Sequence, residues 1–220
     1  MADSALLDDL PPIERLALAY APQATRRPWL SFFSLDARCA RFVTTASEPI
    51  TAQLRLAWWR DRLGESAEQW PTGEPLLEAL GSWRGQHDAL LGIVDGWEMM
   101  TAEIPRSREA FEELAAGKAR AIASLHKMGA AREDGVVLQE MAMDWALCDL
   151  AGKLHDNDER RTLDEMIAAR CFESVRVPRS LRPLAVLHAL SRQSRRSALP
   201  LQRLPARAMA RAVIAGFSGR

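Results

Sequence analysis

Apolar positions along this chain recur at steps of three and four rather than two. Between Pro28 and Ala46, the residues Phe32, Leu35, Cys39, Phe42 and Ala46 fall on one face, the spacing that a helix of 3.6 residues per turn demands. That pattern puts Asp36, Arg38 and Arg41 away from the buried face. The strand signal is nearly absent, because Val, Ile and Thr are sparse and no Asn-Gly type turn joins alternating apolar runs. Ala, Leu, Glu, Arg and Met dominate, and these are helix formers.

The same reading predicts a short helix over Pro12–Tyr20 and a third helix from the Ser47-Glu48-Pro49 turn to Leu63. In that turn Ser47 is a natural cap and Pro49 has no N–H to leave unpaired. Gly64 supplies a stop. A loop over Glu65–Gly73 is broken by Pro71 and Gly73. Helical periodicity resumes over Glu74–Trp83, Asp88–Glu103, Ser107 to about Gly129, and Asp134–Leu154. The polar run His155–Arg161 marks a helix end or bend, and further helices follow over Leu163–Cys171, Leu181–Arg192 and Pro205–Phe217. With no repeat, no low-complexity tract and no linker, residues 1–220 are expected to form a single all-α domain, a helical bundle. Its irregular part is the Arg-rich quarter from 170 to 220, where Pro178, Pro183, Pro200 and Pro205 interrupt the periodicity.

Composition changes this picture in one place. Hydrophobic residues are 48% and charged residues 26%, with a net charge of zero, which excludes a global field that would recruit nucleic acid or an anionic membrane. The charges are segregated, however: eleven Arg and no Lys lie between Arg170 and Arg220, against the single acid Glu173. Such a segment is either a solvated basic face or a contact for anionic lipid, a diphosphate or an acidic partner. Cys39, Cys148 and Cys171 are widely spaced and form no CxxC, which points to a reducing compartment. The N-terminus lacks a signal-peptide pattern, and no run of about 18 apolar residues exists to span a membrane. The expected location is cytoplasmic, with peripheral contact at the inner membrane through the Arg-rich quarter.

Two stretches carry a family resemblance. Ser31–Leu63, SFFSLDARCARFVTTASEPITAQLRLAWWRDRL, and Leu90–Leu125, with LLGIVDGWEMM and FEELAAGKARAIASL, resemble paired helices of the squalene/phytoene synthase family. A weaker match at Asp144–Glu159 extends the likeness over roughly Ile13–Ala168. The resemblance implies the isoprenoid synthase fold. It also implies head-to-head joining of prenyl diphosphates, in which Mg²⁺ held by acids on two facing helices draws off the diphosphate.

The chain departs from that chemistry. The three acids of the first motif fall at Ala40, Arg41 and Thr44, and Asp36 is a turn too early. In the second motif, LHDNDER, Asp156 takes the first acid position, His155 replaces an Arg, and Arg160 stands where the next acid belongs. Asp158 and Glu159 are the available substitutes, so Asp156 and Asp158 are the candidate Mg²⁺ ligands. These losses resemble a non-catalytic branch of the family, that of the mitochondrial complex I assembly factor, which implies a bound isoprenoid or protein partner. An active Mg-dependent prenyltransferase using farnesyl or geranylgeranyl diphosphate, and a membrane-surface module, remain alternatives.

Four further residues are candidates for substrate binding. Trp58 and Trp59 are about 100° apart on a helix, so one faces the core and the other a cavity wall, an interface or an isoprenoid tail. Arg55 either pairs with a helix acid or grips a diphosphate bidentately. Arg41 either replaces a lost metal by charge or pairs with Asp36 or Glu48. The four histidines show no metal-ligand spacing.

Overall fold

The computed structural model describes residues 2–83, 85–128 and 135–220. Among them the chain is all-helical, with α1 (Ala2–Asp8), α2 (Pro12–Leu18), α3 (Gln23–Thr45), α4 (Pro49–Gly64), α5 (Pro75–Leu80), α6 (Asp88–Met99), α7 (Arg108–Met128), α8 (Gly135–Ala151), α9 (Asn157–Ala168), α10 (Arg182–Ser197) and α11 (Ala206–Ser218). Gly129 and Asp134, at expected helix ends, lie outside the described residues. None of the described helices is long and apolar enough to cross a membrane.

The bundle is built around α3. It touches α1, α2, α4, α5, α6 and α7, while α6, α7 and α8 pack side by side and α10 joins α8 to α11. One apolar core runs continuously from Leu6 to Ala215. A helix surrounded in this way is buried nearly all round. Asp36 is therefore inside the core with Phe32, Leu35 and Cys39, which corrects its expected place away from the buried face.

Local chemistry explains most ends, with some departures. Helix α3 begins at Gln23, so Pro28 lies within its first turns rather than at its start. Ser47 does not cap α4; Glu48 holds the N-cap position without a side-chain hydrogen bond, and Pro49 begins the helix. Glu74 caps α5 by accepting from the Leu76 N–H. Helix α1 was not signalled by the sequence pattern. It is seven residues long and packs on α3 and α5, with Leu6 and the following Leu10 in the core.

Glycine sets the closest approach in the fold. Gly92 and Gly96 on α6 meet Gly117 and Leu114 on α7. A Cβ on Gly117 would land on the Gly92 carbonyl, and one on Gly96 would stand 2.5 Å from the Leu114 Cα. Only glycine lets these two backbones touch, and the contact fixes the rotation of α7 that aims Lys118 inward.

Candidate functional site

At the centre of the bundle sits a charged cluster rather than an apolar cavity. Lys118 of α7 is 1% exposed. Its Nζ lies 2.9 Å from Asp36 Oδ2 on α3 and 2.9 Å from Asp149 Oδ2 on α8. The indole N–H of Trp97, on α6, donates to Asp36 Oδ1 at 2.8 Å. The ammonium also lies 5.4 Å from the Trp97 ring centroid and 5.2 Å from that of Trp145, within cation–π range. Lys153, one turn beyond Asp149, pairs with its other oxygen.

Burial pushes each of these charges toward neutrality, and the partners decide the result. Burial would lower the Lys118 pKa, but Asp149 and Asp36 outweigh it and hold the ammonium above the usual lysine range. Burial would raise Asp149, but Lys118 and then Lys153 hold it below the usual carboxylate range. Glu14 of α2 lies beside this cluster without such a bond. Its burial, reinforced by the negative charge of Asp149 and opposed by Lys153, lifts it to about 7. Burial, with Asp36 next to it, pushes the Cys39 thiol far up, so it is no nucleophile.

Above the cluster a cleft of about 390 Å³ opens between three loops. The α3–α4 turn contributes Thr44, Ser47 and Pro49, and the α6–α7 connection contributes Ile104 and Arg106. Lys153, His155 and Asp156 come from the end of α8. Lys153 thus reaches from the buried cluster to the cleft floor. The guanidinium of Arg106 grips the fully buried Glu159 with two bonds of 2.6 and 2.7 Å, and its backbone N–H donates to the same carboxylate at 2.8 Å. That bidentate grip fastens the α6–α7 connection to α9.

The residues singled out in the sequence do not converge on one site. Asp156 is the N-cap of α9: its Oδ1 accepts from the Asp158 and Glu159 N–H groups, both at 3.0 Å. Asp158 is exposed and pairs with Arg161 at 3.0 Å. Among the described residues no group of three or more His, Cys, Asp and Glu side chains comes together as a metal ion would require. As arranged, one Asp156 oxygen is taken by the helix cap and Asp158 is paired with Arg161. Arg41 is exposed and 3.9 Å from Asp9, which corrects its expected partners Asp36 and Glu48. The Arg55 guanidinium covers the Phe42 ring at 5.5 Å. Trp59 is 2% exposed and Trp58 40%; their rings meet edge to face at 5.1 Å, with Arg38 against Trp59 and Arg62 against Trp58. The structure does bring Thr44 and Asp156 to the same cleft.

The central cluster was missed because its members are far apart in sequence. A signal existed: Asp36 lies among Phe32, Phe33, Leu35 and Cys39, Lys118 among Leu114, Ala115 and Ile122, and Asp149 among Trp145, Leu147 and Leu150, and charged residues so placed are rarely buried unless paired. Comparison with family models, with curated proteins and with solved structures finds no match for this chain.

Proposed function

We propose that this protein is a non-catalytic, squalene/phytoene synthase-like bundle that works by binding a protein partner, in the manner of an assembly factor. One observation carries the reading. The two carboxylates that face each other across the bundle, Asp36 and Asp149, hold the ammonium of Lys118 between them at 2.9 Å. A lysine there supplies fixed positive charge but offers no open coordination position for a diphosphate oxygen, which metal-assisted departure of diphosphate needs.

Three further observations support it. Thr44 and Asp156, the positions at which the resemblance expects acids from two motifs, share one cleft, and that cleft carries Arg106, Lys153 and His155 around a single acid. The interior of the bundle is filled by Trp29, Phe32, Phe33, Trp97 and Trp145, all fully buried, which leaves an isoprenoid tail no room among them. On the outside of α4, Ile50, Leu54 and Trp58 are exposed at steps of four, forming one apolar stripe of the kind that partner helices cover.

The test is incubation of the purified protein with geranyl, farnesyl and geranylgeranyl diphosphate, with and without Mg²⁺. Neither pyrophosphate release nor saturable binding is expected. Mg²⁺-dependent release that disappears in Asp156→Ala would overturn the reading in favour of a prenyltransferase.

A further inference from the structure

The C-terminal quarter forms a groove of its own, on the face made by α10, α11 and the segment that precedes α10. Two clefts, of about 170 and 280 Å³, share Arg192 and Arg196 and so form one depression. Arg195 lines one half, and Arg211 and Arg220 the other. No acidic side chain lines either half, and Glu173, the only carboxylate side chain between 170 and 220, is turned to solvent. The nearest buried acid, Asp144, is engaged by Arg170 and by His188. None of the five groove arginines is ion-paired among the described residues, whereas Arg38, Arg60, Arg62, Arg106, Arg108 and Arg120 all are.

The groove is held in shape. Phe172 adopts φ +53°, a left-handed backbone that a bulky residue rarely takes. Its buried ring stacks on His188 at 6.0 Å and carries the Arg195 guanidinium at 5.0 Å on its face. Arg211 donates to Gln193 Oε1 at 2.9 Å, which ties α11 to α10. Ile214 lines the groove and is 65% exposed, while Phe217, outside it, is 74% exposed with its ring edge to face with Tyr20 at 5.3 Å. They stand three residues apart on α11, on the side that carries Arg207 and Arg211.

We infer that this face docks on a membrane surface, with the arginine groove taking the phosphate groups of anionic phospholipids and Ile214 and Phe217 entering the headgroup boundary. Unpaired guanidiniums match phosphate oxygens in geometry as well as charge. Exposed apolar side chains next to them are what separates a lipid surface from a soluble phosphate as the source of that chemistry. The inference is independent of the proposed binding role, which rests on the bundle centre.

The test is co-flotation of the full chain with phosphatidylcholine vesicles, with and without phosphatidylserine. Binding is expected only with phosphatidylserine and is expected to weaken as salt rises. Removing both shared charges, in Arg192→Gln/Arg196→Gln, is expected to lower partitioning about 30-fold, because each basic residue near an anionic surface contributes about fivefold. Phe217→Ser is expected to lower it by about tenfold, the scale of one phenyl ring leaving an apolar phase. Arg161→Gln, outside the groove, is expected to change nothing, and thermal melts check that every variant is folded. Equal binding to both vesicles, an equal loss in Arg161→Gln, or calorimetric binding of inorganic diphosphate without vesicle binding would each overturn the inference.

Discussion

The centre of the bundle and the α10–α11 face handle charge in opposite ways. At the centre, Lys118 is surrounded by Asp36 and Asp149, Asp149 is shared with Lys153, and Trp97 satisfies the remaining Asp36 oxygen. On the α10–α11 face, Arg192, Arg195, Arg196, Arg211 and Arg220 line one groove with no acidic side chain among them. The whole chain is neutral, yet 28 of its 29 acids and only 18 of its 29 basic residues precede residue 170. Buried charge is tolerated only when paired, so the central cluster is committed to holding α3, α7 and α8 together. Exposed charge needs no partner in water, so the groove is free to meet one.

The comparison breaks most sharply at Lys118. Lys118→Met leaves Asp36 in the core without a counter-ion and Asp149 with Lys153 alone, and a loss of about 3–5 kcal/mol is expected in urea unfolding. If charge is the cause, adding Asp36→Asn and Asp149→Asn to that variant recovers much of the loss. A triple variant no more stable than Lys118→Met would assign the effect to packing against Trp97 and Trp145 instead.

Glu14 tests the same cluster by pH. Its native pKa, about 7, stands above its ordinary value of 4.5, so the native state binds more protons than the unfolded state between those values. Stability is therefore expected to fall as pH rises from 4.5 to about 7 and to level off above that. Glu14→Gln is expected to flatten this slope and to stabilise the protein by about 3 kcal/mol at pH 8. Asp149 has the opposite sign. Its pKa is held low, so its contribution is present at neutral pH and is lost on acidification through and below the ordinary carboxylate range. Urea midpoints across pH 4–9 for the wild type and Glu14→Gln separate the two; a curve unchanged by the substitution would remove Glu14 from the account.

A smaller effect is expected when the seat of Lys118 is altered rather than its charge. Gly117→Ala forces α6 and α7 apart at the Gly92 carbonyl. Overpacking of this kind costs about 1–3 kcal/mol, read as a lower melting temperature. Gly135→Ala meets nothing within 4 Å and serves as the control.

The helices were legible because their apolar faces repeat every 3.6 residues over many turns, as Phe32, Leu35 and Cys39 do. Helix α1 was not, since a seven-residue segment carries too little periodicity to read. The two tryptophans separate as adjacent helical positions must, Trp59 inward and Trp58 outward. The misreading of Asp36 has a definite source. A single face was assigned to a helix that has neighbours on every side, and no local pattern reports how many neighbours a helix will have. The Lys118 cluster depends on the relative rotation of three helices. That rotation is set by the Gly92, Gly96 and Gly117 contact, whose members look isolated in one dimension.

The smallest effect sharpens the comparison from the other side. Arg192 and Arg196 are four residues apart on α10, and like charges at that spacing repel each other by a few tenths of a kcal/mol. Arg192→Gln/Arg196→Gln is therefore expected to leave stability within about 0.5 kcal/mol of wild type, on the stabilising side. Added salt screens such repulsion over a Debye length of about 8 Å at physiological ionic strength. The wild-type melting temperature is expected to rise slightly with salt, and that of the double variant to rise less. The Lys118 cluster, sealed from water, contributes little to either response. A double variant destabilised as much as Lys118→Met would show that the groove arginines hold the fold together, and the distinction between a committed centre and a free face would be lost.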